Sequence, residues 1–368
     1  MAMISLALCG DVMMGRGIDQ LLPWPCEPVL YEPFMRSATE YIALAERVNG
    51  PIPRHVEPSY PWGDALRDLQ EHQPDVRIVN LETSVTRCAT PAPKGINYRM
   101  SPENFASLLD GKIDCCVLAN NHVLDWGEQG LIDTLHAVRT AGIASAGAGL
   151  DLRDACAPGL VSVTGKGRVL VYACAATDSG VPPAWRAGPD RTGVNVLPDF
   201  SADTARRIGK EVSENRKAGD LVVVSIHWGG NWGYAIPPEH RRFAHALVDA
   251  AGADLIHGHS SHHAKGIEVY RGRLILYGCG DLISDYEGIE GYEAFRDDLV
   301  LLYLPQLRVA DGMLVSLTML PYQLRKFRLN RAAPADSQWL RDMLDRESHC
   351  FNASITLDES GCLQLRCA

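Results

Sequence analysis

The sequence predicts an α/β layered fold. Short apolar runs of strand length alternate with segments whose apolar residues recur at helical spacing. From about Ile267 onward, strands follow one another with little helix between them, so the later part of the chain adds antiparallel strands. The composition agrees: 46% hydrophobic and 22% charged residues exclude a disordered, collagenous or coiled-coil plan. A length of 368 residues leaves room for more than one domain, yet a single α/β domain reaches this size.

The predicted strands, in order, are 4–9, 76–80, 115–119, 169–174, 221–226, 253–256, 267–270, 274–277, 299–304 and 314–320. Helices lie between several of them. Leu131, Leu135 and Val138 share one helical face, and Gly142 is placed to cap it. Ile208 and Val212 mark a helix before Asp220, and Phe243, Leu247 and Ala250 mark another that stops at Gly252. Residues 23–61 break this rhythm with eight prolines. They read as a long insertion with one helix over about 34–48 and with Trp24, Phe34 and Tyr41 as anchors. An insertion of this length either covers an active site or is a surface excursion. Beyond Arg331 a helix near 337–346 and a hairpin-like stretch complete the chain.

Charge and cysteine usage narrow the function classes. The net charge of −10 argues against a phosphate-backbone binder, so no nucleic acid partner is expected. The longest uncharged run, 221–238, holds His227, Asn231, three glycines and two prolines. It reads as a strand and loop, not as a membrane span. The first apolar stretch has no basic region before it and ends at Asp11, unlike a signal peptide. The eleven cysteines include no Cys-x-x-Cys, and Cys9, Cys115 and Cys174 sit in apolar runs. They read as buried thiols of a cytoplasmic protein, and not as a zinc-thiolate site.

The strand ends carry the functional signal. Six strands run into acids, amides or histidines: Asp11; Asn80 and Glu82; Asn120, Asn121 and His122 with Asp125; His227; His257, His259 and His262; and Asp281. In open α/β sheets, ligands bind beyond the carboxyl ends of the strands. Asp11, Glu82 and Asn121 offer oxygen ligands, and His227, His259 and His262 offer imidazole nitrogens. Such a set suits one or two divalent ions. His257 reads as a packed, hydrogen-bonded residue, and His263 lies outside the donor set. A turn after His122 brings Asp125 within reach of its imidazole.

The ordered series Gly10-Asp11-Val12-Met13-Met14-Gly15-Arg16, Asn80-Leu81-Glu82-Thr83, Asn120-Asn121-His122, His227-Trp228-Gly229, Gly252-Ala253-Asp254 and Gly258-His259 before His262 resembles the CapA-like family. That family is named for a capsule poly-γ-glutamate synthesis protein and looks like a branch of the calcineurin-like metallophosphatases. The resemblance spans about 4–281. It implies a four-layer α/β/β/α sandwich with a metal site at the strand ends. Residues 1–330 would then be a metallophosphatase-like catalytic domain with insertion 23–61, and 331–368 an extension packed on it.

Carried over by motif, Asp11 matches the first metal aspartate and Glu82 the metal-bridging acid. Asn121 matches the metal asparagine, His122 the histidine that works on substrate, and His227 and His259 the later metal histidines. His262 replaces the last one. The phosphatases have a histidine two residues after the first aspartate, where this chain has Met13. That departure favours a more oxygen-ligated ion, Ca²⁺ or Mn²⁺ before Zn²⁺ or Fe. It also weighs against a phosphoesterase.

Soluble members resembling this chain include peptide epimerases of lasso-peptide biosynthesis, which invert a Cα centre in a ribosomally made peptide. The first expectation is therefore a metal-dependent peptide epimerase with a peptide substrate. Two proton-transfer pairs would serve it, His122 with Asp125 and His259 with Asp11 or Asp281. Trp24, Trp228 and Trp232 would line an apolar subsite. The alternatives are a metal-dependent phosphoesterase and a poly-γ-glutamate synthesis or hydrolysis protein. The oligomeric state stays open.

Overall fold

In the computed structural model, which describes residues 2–367, strand β1 (Met3–Val12) opens the first sheet. Strands β2 (Val76–Leu81), β3 (Cys115–Val117) and β4 (Ala144–Ala146) follow outward from it, all parallel. The chain then builds a second sheet from β5 (Gly159–Val163), β6 (Gly167–Ala175), β7 (Asp220–His227), β8 (Leu255–His259), β9 (Ile267–Tyr270) and β10 (Arg273–Leu276). Their spatial order is β9-β10-β8-β7-β6-β5. The short β11 (Asp281–Ile283) returns to the first sheet and pairs in parallel with β1. Strands β12 (Leu299–Arg308) and β13 (Leu314–Leu324) extend that sheet antiparallel, and β14 (Leu329–Arg331) pairs with β13. The hairpin β15 (Ala353–Leu357) and β16 (Leu363–Cys367) completes the order β15-β16-β13-β12-β1-β2-β3-β4.

Side-chain alternation decides what each face of the second sheet covers. Val169, Val171 and Ala173 of β6, Leu221 and Val223 of β7, and Leu274 and Leu276 of β10 share one core with Ile4, Leu6, Leu8 and Ile78 of the first sheet. Their neighbours Leu170, Tyr172, Val222, Val224, Ile256 and Ile275 form a separate core with residues of two helices. In chain order the longer helices are α1 (Ala38–Asn49), α2 (Ala65–His72), α3 (Gly127–Thr140), α4 (Ala202–Asn215), α5 (Pro238–Ala251) and α6 (Pro334–Ser348). The two on the second sheet are α4, through Ala205, Ile208 and Val212, and α5, through Phe243, Ala244 and Leu247. Ser201 caps α4 by accepting the Thr204 N–H at 3.2 Å. Gly252, at φ +69°, ends α5 as the spacing predicts.

The structure departs from the sequence reading in places. The insertion helix starts at Ala38, four residues after the expected start, because Ser37 takes the cap position and accepts the Thr39 N–H. Tyr41 is buried, but Trp24 and Phe34 are 52% and 64% exposed, so neither is a core anchor. Strands β4 and β5 were not foreseen. Strand β4 is three residues of small side chains, and β5 is an edge strand with Leu160 exposed, so neither has an apolar signature.

Candidate functional site

The register of the two sheets builds the site. In the first sheet Asp11 of β1 lies opposite Asn80 of β2 on one side and Asp281 of β11 on the other. In the second sheet His227 of β7 lies directly opposite His259 of β8. The first sheet thus presents acids and the second imidazoles, and the two sheets bring them together. Asp11, His227 and His259 form one group whose donor atoms all lie within 4.8 Å of one another, and Asp11, His262 and Asp281 form another. Asp11 is common to both.

Hydrogen bonds fix which atoms remain for a ligand. Asp11 Oδ1 accepts from Asn80 Nδ2 at 2.6 Å, and Asn80 Oδ1 accepts from Asn120 Nδ2 at 3.1 Å. On the other sheet, His257 Nε2 donates to the Cys9 carbonyl at 2.7 Å. Its Nδ1 must then accept from Ser225 Oγ at 3.0 Å, so that hydroxyl in turn accepts from His259 Nε2 at 2.9 Å. The chain leaves His259 Nδ1 as a lone pair, 2.8 Å from His227 Nδ1. The tautomer of a ligand histidine is commonly set by what its other nitrogen bonds. His227 Nε2 meets Asn121 Oδ1 at 3.0 Å and stands 3.9 Å from Glu82 Oε1. His262 Nδ1 pairs with Asp281 Oδ1 at 3.1 Å, whereas His259 Nδ1 is 3.9 Å from Asp11 Oδ1. The nearer partner of Asp281 is therefore His262, not His259.

Three buried carboxylate oxygens, Asp11 Oδ2, Glu82 Oε2 and Asp281 Oδ2, have no hydrogen-bond partner. Burial first, and then the facing Asp281, push the Asp11 carboxyl up to about 8, against Asn80, His262 and the Ser260 amide. Burial, with Asp11 and Asp281, holds Glu82 well above the usual carboxylate range. Burial likewise keeps His227 and His259 neutral, with lone pairs available. Burial works to lower His262 too, but the charge and hydrogen bond of Asp281 outweigh it and raise it. Crowded acids with unpartnered oxygens, beside the neutral imidazoles of His227 and His259, are the donor set of a divalent cation. This buried cluster could hold a metal ion.

Beside it, His122 Nδ1 bonds Asp125 Oδ2 at 2.6 Å, as the three-residue spacing predicts. Lys94 Nζ donates to the other Asp125 oxygen at 2.7 Å and to the Asn121 carbonyl. The Tyr98 ring stacks on His122 with centres 3.7 Å apart, and the Tyr98 N–H donates to Asp125 at 2.6 Å. Burial, then Lys94, Arg16 and His262, hold His122 neutral.

A cavity of about 960 Å³ opens over the site, lined by Glu82, Asn121, His122, His227 and His262 among others. Phe34, Tyr41, Leu44 and Val48 of the insertion also line it, so this segment covers the site and is not a detached excursion. Trp232 lines the cavity, but Trp228 is buried against His240 and Trp24 lies elsewhere. Met13 is fully buried, and its sulfur accepts the Gly15 N–H at 3.2 Å. Sequence reasoning missed Lys94, Tyr98 and Tyr286, which sit in loops without a motif. It also missed the role of Arg16, buried between Asp285 and Glu32. Its place beside Gly15 in the first motif was the available signal.

The family model described as bacterial capsule synthesis protein PGA_cap matches residues 5–286. A probable polyglutamine synthesis accessory protein of Mycobacterium tuberculosis (strain CDC 1551 / Oshkosh) is 48% identical over 364 residues, covering 98% of this chain and 96% of that one. The capsule biosynthesis protein CapA of Bacillus anthracis is 27% identical over 82% of this chain and 63% of its own length. The PGA biosynthesis protein CapA of Bacillus subtilis (strain 168) is 28% identical over 82% of this chain and 67% of its own length. No helix among the described residues is long and apolar enough to cross a membrane. With the family match running from β1 through the loop after β11, and so across every donor of the cluster, the chain belongs to the bacterial capsule synthesis protein family PGA_cap.

Proposed function

We propose that the chain carries out a divalent-metal-assisted step on a poly-γ-glutamate-type polymer during its synthesis or trimming. The relatives' names supply the polymer. The observation that carries the chemistry is the trio of buried, unpartnered carboxylate oxygens on Asp11, Glu82 and Asp281. Asp11, His227 and His259 would hold one ion and Asp11, His262 and Asp281 a second, with Glu82 and Asn121 beside them. His262 makes good the nitrogen missing at Met13. Three imidazoles in the set favour Mn²⁺, Zn²⁺ or Fe over the Ca²⁺ that the sequence put among its first choices.

Bound there, an ion supplies Lewis-acid polarisation of an amide carbonyl. The rest falls to the chain. His122 is neutral, and with Nδ1 committed to Asp125 it keeps its Nε2 lone pair for a proton. Asp125, itself held by Lys94, keeps the imidazole in place, and Tyr98 packs over its face. We read the shared core and the helices outside the second sheet as the inner and outer layers of an α/β/β/α sandwich of calcineurin-like type. The test is a γ-glutamyl oligomer incubated with metal-loaded and with chelator-stripped protein. Loaded protein should change the oligomer's length. Equal turnover after stripping, checked by elemental analysis, would overturn the reading.

Peptide epimerisation stands second, because the names of the family and its relatives speak of capsule, PGA and polyglutamine synthesis. One observation favours it. His122 and His262 line the same cavity, and each is paired with a buried carboxylate behind it, Asp125 and Asp281. Gain of one deuterium in D₂O at an unchanged peptide length would put it first.

A further inference from the structure

Tyr98 and Tyr286 both line the cavity, and their hydroxyl oxygens lie 2.6 Å apart. Tyr98 stacks on His122, and Tyr286 meets His262 edge-on with ring centres 5.1 Å apart. Each phenol carries one proton at neutral pH, and the single bond between the oxygens uses only one of the two. Among the described residues neither hydroxyl has another hydrogen-bond partner. One O–H is therefore left without an acceptor, and burial decides which. Tyr98 is 4% exposed, and the acceptor within its reach is the Tyr286 oxygen. Tyr286 is only half-buried. Tyr98 thus donates to Tyr286, and the Tyr286 proton is left for the cavity.

Both rings are held by contacts that leave the hydroxyls alone. Asp285, the neighbour of Tyr286, accepts from the Gly17 N–H at 2.9 Å and from Arg16 Nε at 3.2 Å. The Arg16 guanidinium lies over the Tyr98 ring at 4.6 Å and over the Tyr286 ring at 5.7 Å. The Tyr98 N–H is tied to Asp125. A donor fixed by its surroundings and lacking an acceptor is ready-made to recognise an oxygen of a ligand. A γ-linked glutamyl unit has two kinds of oxygen. The amide carbonyl is the one that Lewis-acid polarisation takes, which leaves the free carboxylate to be recognised. An O–H donor bonds an ionised oxygen roughly twice as strongly as a neutral one. With both ions in place, their charge offsets the floor acids Asp11, Glu82 and Asp281, so a substrate carboxylate is not repelled there.

We infer that Tyr286 is a specificity residue whose hydroxyl hydrogen-bonds a free carboxylate of the substrate, with Tyr98 as the positioning residue behind it, so that the site favours glutamyl over glutaminyl units. The choice of a glutamyl ligand rests on the function proposed above. The probes are N-acetyl-γ-L-glutamyl-L-glutamate and its fully amidated form, titrated calorimetrically into the full chain, loaded with Mn²⁺ and chelator-stripped. Tyr286→Phe, which keeps the ring, should weaken the acid by about tenfold and the amide by less than about threefold. Retained binding of the amide shows that the variant keeps its cavity. Tyr98→Phe should weaken the acid by about threefold through loss of the donated bond, and should cost nothing further when position 286 is already Phe. Equal losses for acid and amide, or additive losses from the two substitutions, would overturn the inference. A Tyr286→Phe loss in protein whose affinity for the acid does not change on stripping would overturn the metal reading and leave this inference standing. Weakening on stripping with no Tyr286→Phe loss would do the reverse. Failure of the loaded parent to bind the acid would overturn both.

Discussion

Asp11 is a member of both donor groups, whereas His262 and Asp281 belong to one. Asp11→Asn is therefore expected to empty both positions and Asp281→Asn only one. Elemental analysis of the purified variants reads the difference directly, and identical metal content in the two would contradict a shared Asp11. Ser225 touches no donor face, yet its hydroxyl dictates which nitrogen of His259 keeps a lone pair. Ser225→Ala should lower metal affinity by roughly 10- to 100-fold with little change in fold, measured by competition with a chelating dye. The donors named from sequence could be read because each ends a strand or opens the turn after one, where polar residues interrupt apolar runs. Lys94 and Tyr98 were not legible. They reach the site from a loop whose path depends on contacts far along the chain, such as the Tyr98–Tyr286 hydroxyl pair.

Among the elements, β1 bears the closest approach. A Cβ on Gly10 would fall 1.6 Å from the Gly280 carbonyl oxygen, and that same oxygen accepts the Asp11 N–H at 3.1 Å. Gly10→Ala must therefore push β1 from the loop that delivers Asp281. A loss of about 3 kcal/mol in urea unfolding is expected, together with weakened metal binding. Gly230→Ala, where a Cβ meets nothing within 4 Å, is the matched control and should leave both unchanged. Most strands were legible from their apolar runs, and α4 and α5 from spacing and stop signals. Strand β11 was not, because three residues after a glycine-rich turn carry no period. Its pairing with β1 arises only once the chain has crossed between sheets.

At the scale of the whole molecule, His257 is a polar bridge across the core. It stands in the second sheet and donates to the Cys9 carbonyl of the first. Burial pushes its imidazole from 6.5 down to about 4. The folded state thus refuses a proton that the unfolded chain accepts between those values. Its share of stability is complete above 6.5 and is lost as pH falls toward 4, up to about 3 kcal/mol. Urea titrations of stripped protein from pH 7 to pH 4 should show a shallower acid loss for His257→Gln than for the parent. Matching slopes would remove His257 from the acid response.

The sharing of Asp11 between two sheets also has a consequence for biosynthesis. Its partners lie at positions 227, 259, 262 and 281, so neither donor group is whole until most of the polypeptide has left the ribosome. Through that interval Asp11 of β1 and Glu82, just past β2, are already made with no cation to offset them. Domains generally take shape from the N-terminus as they emerge. Here the nascent first sheet must wait, and the arrival of the imidazole strands, not the presence of ions in the cell, times the completion of the centre.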